Sequence, residues 1–273
     1  SIALHKPKIQ QMNRSATQHL IIRISKDSLS FAMDCGDEEG ICFEPYAMKS
    51  GISIAANLRE AFKTSDLLSR AGSKATVLVD SPTLIMPLED FQEDEVEEQY
   101  DMTYPSLKGM SVETCVLPAF RNMVAFAVEK DVKTVLCDNF EKVKLRSLMI
   151  SVWEFLQRRN GAANNKKLYA YFHDGKIDIC SFHRNRFTFA NTFDADNIQN
   201  EMYYILGAWK LIGAKAANDD LFMCGKIDNR EQLTAELKNF LARVFYINPS
   251  ADFNRAPATQ IMNFPLDTML QFV

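Results

Sequence analysis

The chain is poor in the residues from which most catalytic and metal centres are built. Its 273 residues include four histidines and six cysteines. The cysteines (Cys35, Cys42, Cys115, Cys137, Cys180 and Cys224) stand singly, without a CxxC pair. That spacing matches neither the common zinc signatures nor a disulfide framework. Apolar settings such as "VETCVLP" and "KTVLCDNF" predict buried free thiols in a reducing compartment. His173 and His183 do not bracket a carboxylate at ligand spacing, so no metal site is expected. GxSxG, GxxxxGK[ST], HExxH and GxGxxG are all missing. No stretch reaches the ~20 apolar residues of a membrane span, and the opening residues lack the pattern of a secretion signal, so the expected localisation is cytoplasmic. A net positive charge is also absent. A formal net charge of −4 weighs against nucleic acid or an anionic lipid surface as partner.

What the chain does have is apolar content, 47%, enough for one large or two modest cores. It also has a repeated pattern. "LIIRISKDSLSFAMD" at 20–34 and "LYAYFHDGKIDICSF" at 168–182 each read as two strands around a polar break. An offset of 148 places Leu20 on Leu168, Ile24 on Phe172, Leu29 on Ile177 and Phe31 on Ile179. Each half continues with a third strand ("ICFEPYAM", "RFTFANTF"), a helix and another strand ("KATVLVD", "DLFMCGK"). The first helix is predicted over Ile54–Leu68. The second runs through "DADNIQNEMYYILGAWKLIG", with Asp194 or Asp196 as N-cap and Gly213 at its end. Asp174-Gly175 predicts a type I′ hairpin turn. "SVETCVLP" and "NMVAFAVE" read as two strands, Lys130–Phe140 and "SVWEFLQRRNG" as helices, and "GAANNKK" as a linker. The expected division is 1–160, with an acidic insertion near 89–105, and 161–273, with an apolar tail.

Three segments invite a functional reading. Residues 89–101, "EDFQEDEVEEQYD", carry eight carboxylates and no basic residue, the composition of a solvated helix face or, alternatively, of a surface for a basic partner. The tail "IMNFPLDTMLQFV" is apolar enough either to dock on its own lobe or to hold a partner or a second copy. The aromatics Tyr169, Tyr171, Phe172, Phe182, Phe187, Phe189 and Phe193 point to core, with Phe187 and Phe189 expected on one inward face. The interleaved Lys166, Lys167, Lys176, His183, Arg184 and Arg186 suggest a nucleic-acid face, which the net acidity opposes.

The layout from about residue 18 to 248 resembles the actin-like, or ribonuclease H-like, superfamily. It is similar in particular to its pilus- and secretion-assembly members and to an uncharacterised Bacteroidetes family with an actin-like ATPase fold. The resemblance implies an α/β fold of two duplicated lobes, each a mixed sheet with a three-stranded antiparallel meander and flanking helices. It also implies ATP and Mg in the cleft between them, held by the first hairpin turn of each lobe and by a strand-to-helix turn. On this chain those places fall on Lys26 and Asp27, on Asp174 and Gly175, and on Gly225. The pattern is eroded at all three: no glycine in "RISKDS" and arginine near the usual aspartate position, a glycine directly after Asp174 instead of one residue later, and one glycine in "FMCGKIDN" where a pair is common. A ribonuclease H nuclease would need a carboxylate at the centre of the first strand, where Arg23 stands. The expectation is therefore a non-catalytic or weakly nucleotide-binding pseudo-enzyme without a required cofactor, acting through a protein partner or self-association. The alternative is a divergent ATP-binding enzyme, an ATPase or a sugar-kinase-like protein.

Overall fold

The computed structural model describes residues 19–36, 38–161 and 164–273. The polar lead-in up to residue 18 and Ala162-Ala163 of the expected linker lie outside them.

Two sheets of the same topology carry the structure. In the first, β1 (Leu20–Ile24) and β2 (Leu29–Asp34) form an antiparallel hairpin, and β3 (Ile41–Tyr46) extends it. Helices α1 (Ile54–Thr64) and α2 (Asp66–Arg70) lead to β4 (Lys74–Val79), which lies parallel to β1. An excursion follows: β5 (Thr83–Pro87), α3 (Val96–Thr103), β6 (Ser111–Leu117) and β7 (Asn122–Val128). Then α4 (Lys130–Asn139) returns the chain to β8 (Lys142–Ser147), parallel to β4, and α5 (Met149–Arg159) leaves the sheet. The second sheet repeats the plan with β9 (Lys167–His173), β10 (Lys176–His183), β11 (Arg186–Asp194), α6 (Ile198–Leu211), β12 (Asp220–Gly225), α7 (Arg230–Leu237) and β13 (Val244–Tyr246). After β13 come the short helix α8 (Pro249–Asp252) and, within the tail, α9 (Leu266–Met269). The strand orders are β3-β2-β1-β4-β8 and β11-β10-β9-β12-β13, and the excursion forms a small antiparallel sheet, β5-β7-β6.

The register confirms the repeat residue by residue. Ile24 pairs with Leu29 and Leu20 with Met33; the same offset gives the observed Phe172–Ile177 and Leu168–Ser181 pairs. The second hairpin turns at Asp174-Gly175 with both φ angles positive, 46° and 69°, the geometry of a type I′ turn.

Because strand side chains alternate, each sheet has two working faces. Leu20, Ile22 and Ile24 pack with α1 and α4. Leu168, Ala170 and Phe172 pack with α6 and α7. The opposite faces, with Ile21, Leu78, Tyr169, Tyr171 and Cys224, meet in a shared core built around α5, from Leu148 to Leu156. Beneath the small sheet, α3 buries Val96 and Tyr100, while Glu93, Asp94, Glu95, Glu97 and Glu98 are exposed. The acidic run is in large part a solvated surface.

Four local expectations are corrected. The helix over 54–68 breaks at Ser65, whose backbone N–H donates to the Ala61 carbonyl while its Oγ accepts from the Leu68 N–H. One residue ends α1 and caps α2, as a hydroxyl that competes for backbone groups can do. The N-cap of α6 is Asn197, accepting from the Asn200 N–H at 2.9 Å; Asp194 still belongs to β11. A bulge next to Ser181–Phe182 lets Phe182 face Phe187 and Ser181 face Phe189. The extra residue flips the alternation, so Phe187 joins the shared core and Phe189 the α6 side. Finally, the tail docks against more than its own lobe. Phe264, Leu266 and Met269 are buried in the shared core, and Phe264 lies 4.8 Å from Phe43 of β3.

Gly225 closes β12 at φ +89°, and a Cβ there would stand 2.2 Å from the Phe172 carbonyl and 2.7 Å from the Tyr171 ring. Gly225→Ala is expected to cost about 2–4 kcal/mol through strain and forced strand separation, read as a lower urea midpoint with an unchanged m-value.

Candidate functional site

The first hairpin turn of each sheet meets the tail at one point in the cleft. Arg23 shares the strand face of Ile21, so it points away from α1 and toward the second sheet. It is 3% exposed. Its Nε donates to Asp267 Oδ1 at 2.8 Å and its Nη2 to Asp267 Oδ2 at 3.1 Å. Nη2 also reaches Asp174 Oδ2 at 2.5 Å, and Nη1 reaches Ser28 Oγ at 3.0 Å. Ser28 donates in turn to Asp174 Oδ1 at 2.8 Å. Asp267 is fully buried and accepts further bonds from Tyr171 Oη at 2.6 Å and Thr268 Oγ1 at 2.9 Å. One guanidinium thus ties β1 to the β9–β10 turn and to α9.

A second chain of contacts extends from Asp174. His173 Nδ1 lies 2.9 Å from Asp174 Oδ2 and its Nε2 lies 2.5 Å from Asp178 Oδ2. Thr192 donates to Asp178. Lys176 pairs with Asp80, at the end of β4, at 2.9 Å. Arg23, His173 and Lys176 therefore face Asp80, Asp174, Asp178 and Asp267.

The electrostatics follow from that geometry. Burial would lower the His173 pKa, but its bonds to Asp174 and Asp178 and the charges of Asp178 and Asp80 push it up to about 10, which makes it an imidazolium. Burial would raise Asp174, yet His173, Arg23 and Ser28 hold it well below the usual carboxylate range. Burial and then the charge of Asp267 drive the Tyr171 phenol well above its ordinary value. Burial opposes the Arg23 charge, and Asp267 and Asp174 more than restore it.

Of the residues expected to hold a nucleotide, only Asp174 joins this network. Lys26 and Asp27 are exposed at the tip of the first turn. Gly175 supplies a turn conformation. Gly225 allows β12 to approach β9, and its carbonyl accepts from Tyr246 Oη at 3.2 Å. Sequence reading missed Tyr171, His173, Asp178, Asp80 and Asp267. Two signals were available: a lone arginine inside "LIIRI" demands a buried acid, and "FPLDTML" holds one carboxylate in an apolar tail.

Among the described residues, two clusters bring metal-ligating atoms within 4.8 Å of one another: Asp80, His173 and Asp174, and Cys35, Glu39 and Cys42. In the first, each side chain already has an internal partner: Lys176 on Asp80, Arg23 on Asp174, and carboxylates on both nitrogens of His173. In the second, Glu39 is paired with Arg70 at 2.7 Å and accepts from Cys42 Sγ at 3.6 Å.

Residues 8–244 match the family model described as "Protein of unknown function (DUF3822)". No curated protein matches the chain. Among solved structures, it is similar to a protein with an actin-like ATPase fold and unknown function from Bacteroides thetaiotaomicron VPI-5482. The TM-score is 0.79 and the identity 26%, over 90% of this chain and 97% of that one. It is also similar to a chain of the PilM–PilN type IV pilus biogenesis complex, with a TM-score of 0.56 and 9% identity over 93% and 97%. The fold is actin-like. No helix among the described residues is long and apolar enough to cross a membrane.

Two outcomes test the network. Arg23→Met should destabilise the protein by about 3–5 kcal/mol, because it strands Asp267 in the core; chemical denaturation reads the loss. His173 gains its proton affinity on folding, so its contribution is complete below about pH 6.5 and disappears as the pH rises through about 10. The stability gap between wild type and His173→Asn should therefore be flat below about pH 6.5 and narrow toward about pH 10, by at most about 1.4 kcal/mol per pH unit.

Proposed function

We propose, for a chain that belongs to the DUF3822 family of unknown function, a non-catalytic role: an actin-like protein that works through contacts with other proteins. The observation that carries this reading is the Arg23 network. A triphosphate binds where free N–H groups and cations converge. Here the central cation is already matched by Asp174 and Asp267. A phosphate entering beside it would meet Asp80, Asp174 and Asp178 at close range, and like charges in a partly buried site repel strongly. The two hairpin turns that could clasp a phosphate clasp each other instead.

Two further elements belong to the same reading. The free cysteines, Cys180 and Cys224 buried and Cys137 exposed, suit a reducing, cytoplasmic setting. A protein partner or self-association fits the fold better than nucleic acid, given the net charge of −4 and the absence of an overall basic field.

The second reading, a divergent ATP-binding enzyme, has one observation in its favour: Asp80, His173 and Asp174 could converge on a divalent cation if Lys176 and Arg23 moved away. A melting experiment separates the two, since any ligand of the folded state raises its stability. The expected result is an unchanged melting temperature in millimolar Mg-ATP or Mg-ADP. A saturable rise of several degrees would sink the non-catalytic reading in favour of the enzyme.

A further inference from the structure

The small sheet and the second sheet turn open edges toward each other. β5 is the outer strand of β5-β7-β6, and β11 is the outer strand of β11-β10-β9-β12-β13. Between them runs a slot of about 780 Å³, walled by Thr83, Leu84, Ile85 and Pro87 on one side and by 184–190 on the other. A second hollow of about 260 Å³ shares Thr83, Ile85 and Ala190 with it and continues along β11 to Asp194. The slot therefore follows an unpaired strand edge for most of its length.

Such an edge displays a row of backbone donors and acceptors, and proteins ordinarily guard it. This chain guards others: β3 carries Pro45, β13 has three residues, and β8 carries Lys142, Lys144 and Arg146. β11 is nine residues long and contains neither proline nor lysine. Its floor is apolar and rigid, with Phe187 stacked on Phe120 at 4.5 Å and braced edge-on by Trp153 at 5.3 Å. Its rim is basic. Arg121, Arg184 and Arg186 line one end, with Glu89 as the opposing carboxylate, and all four are exposed.

We propose that this slot is a strand-addition site for an extended acidic segment of a partner protein. The segment pairs its backbone with β11, lays alternate apolar side chains on Phe120 and Phe187, and sets its carboxylates against Arg121, Arg184 and Arg186. Strand addition draws affinity from main-chain hydrogen bonds and specificity from alternate side chains. The five residues of β5 give the slot a wall about 17 Å long at ~3.3–3.4 Å per residue, room for a short strand. This inference names the contact surface of the protein-binding role proposed above and rests on that reading.

The test uses the full chain and short fluorescein-labelled peptides that alternate Val or Phe with Glu, beside a matched series carrying Lys. The glutamate series should bind at least ~10-fold more tightly than the lysine series. Arg184→Glu with Arg186→Glu should remove that preference, and Arg121→Glu provides a second variant if the pair folds poorly. Hydrogen exchange should slow at 83–87 and 186–194 when peptide is bound. Equal binding of both series, or binding without that protection, overturns the proposal. So does displacement of the peptide by oligo-dT, which would make the slot a nucleic-acid groove. A chain that sediments as a dimer with β11 amides already protected would assign the edge to a second copy and overturn it too. Stabilisation by Mg-ATP would remove the non-catalytic reading while leaving the slot standing; missing strand protection would remove the slot alone.

Discussion

Everything in the cleft depends on the burial of one guanidinium. Arg23 sits at 3% exposure between two sheets, where an unpaired charge would cost several kcal/mol. Its compensation comes from three separate parts of the chain: Ser28 on its own hairpin, Asp174 on the equivalent hairpin of the second sheet, and Asp267 on the tail. None of the three is close enough in sequence to the others for local structure to bring them together. The ion pair therefore holds the two sheets and α9 in one arrangement. His173 bonds the Asp174 carboxylate that Arg23 orients, and Asp178 and Thr192 follow in line behind it.

The shared apolar core supplies the platform for this polar cluster. α5 fills the space between the sheets, and Phe264, Leu266 and Met269 complete it. Burying side chains of that size stabilises by about 1.5–3 kcal/mol each, enough to hold Asp267 in register with Arg23. The tail is thus part of the wall between the lobes. Removing it would expose apolar surface and leave Arg23 without its bidentate acceptor.

The sequence was legible where periodicity is strong and short-range. The two hairpins, their common register and the Asp174-Gly175 turn followed from alternation and from the conformational demands of a type I′ turn. Boundaries set by one side chain against its neighbours were not legible. Ser65 divides a helix because its hydroxyl and backbone serve two different turns. Asn197 caps α6 because the strand before it runs on through Asp194. A one-residue bulge moved Phe189 to the opposite face from Phe187. The site was read only in part: Asp174 was identified, but as a candidate ligand for a nucleotide rather than the partner of an arginine.

By itself, the amino-acid sequence determined the duplicated strand-and-helix plan, a first hairpin turn without glycine, and the presence of an arginine inside an apolar strand that had to find an acid. Only the tertiary structure decided which acids it found, since Asp174 and Asp267 lie 151 and 244 residues away and no periodicity carries information over such separations. It also decided that these side chains pair across the cleft and that β5 and β11 face one another across an open slot. Local patterns specify elements through backbone geometry and burial of one face. Which elements meet, and whose charges cancel, is settled only when the faces pack.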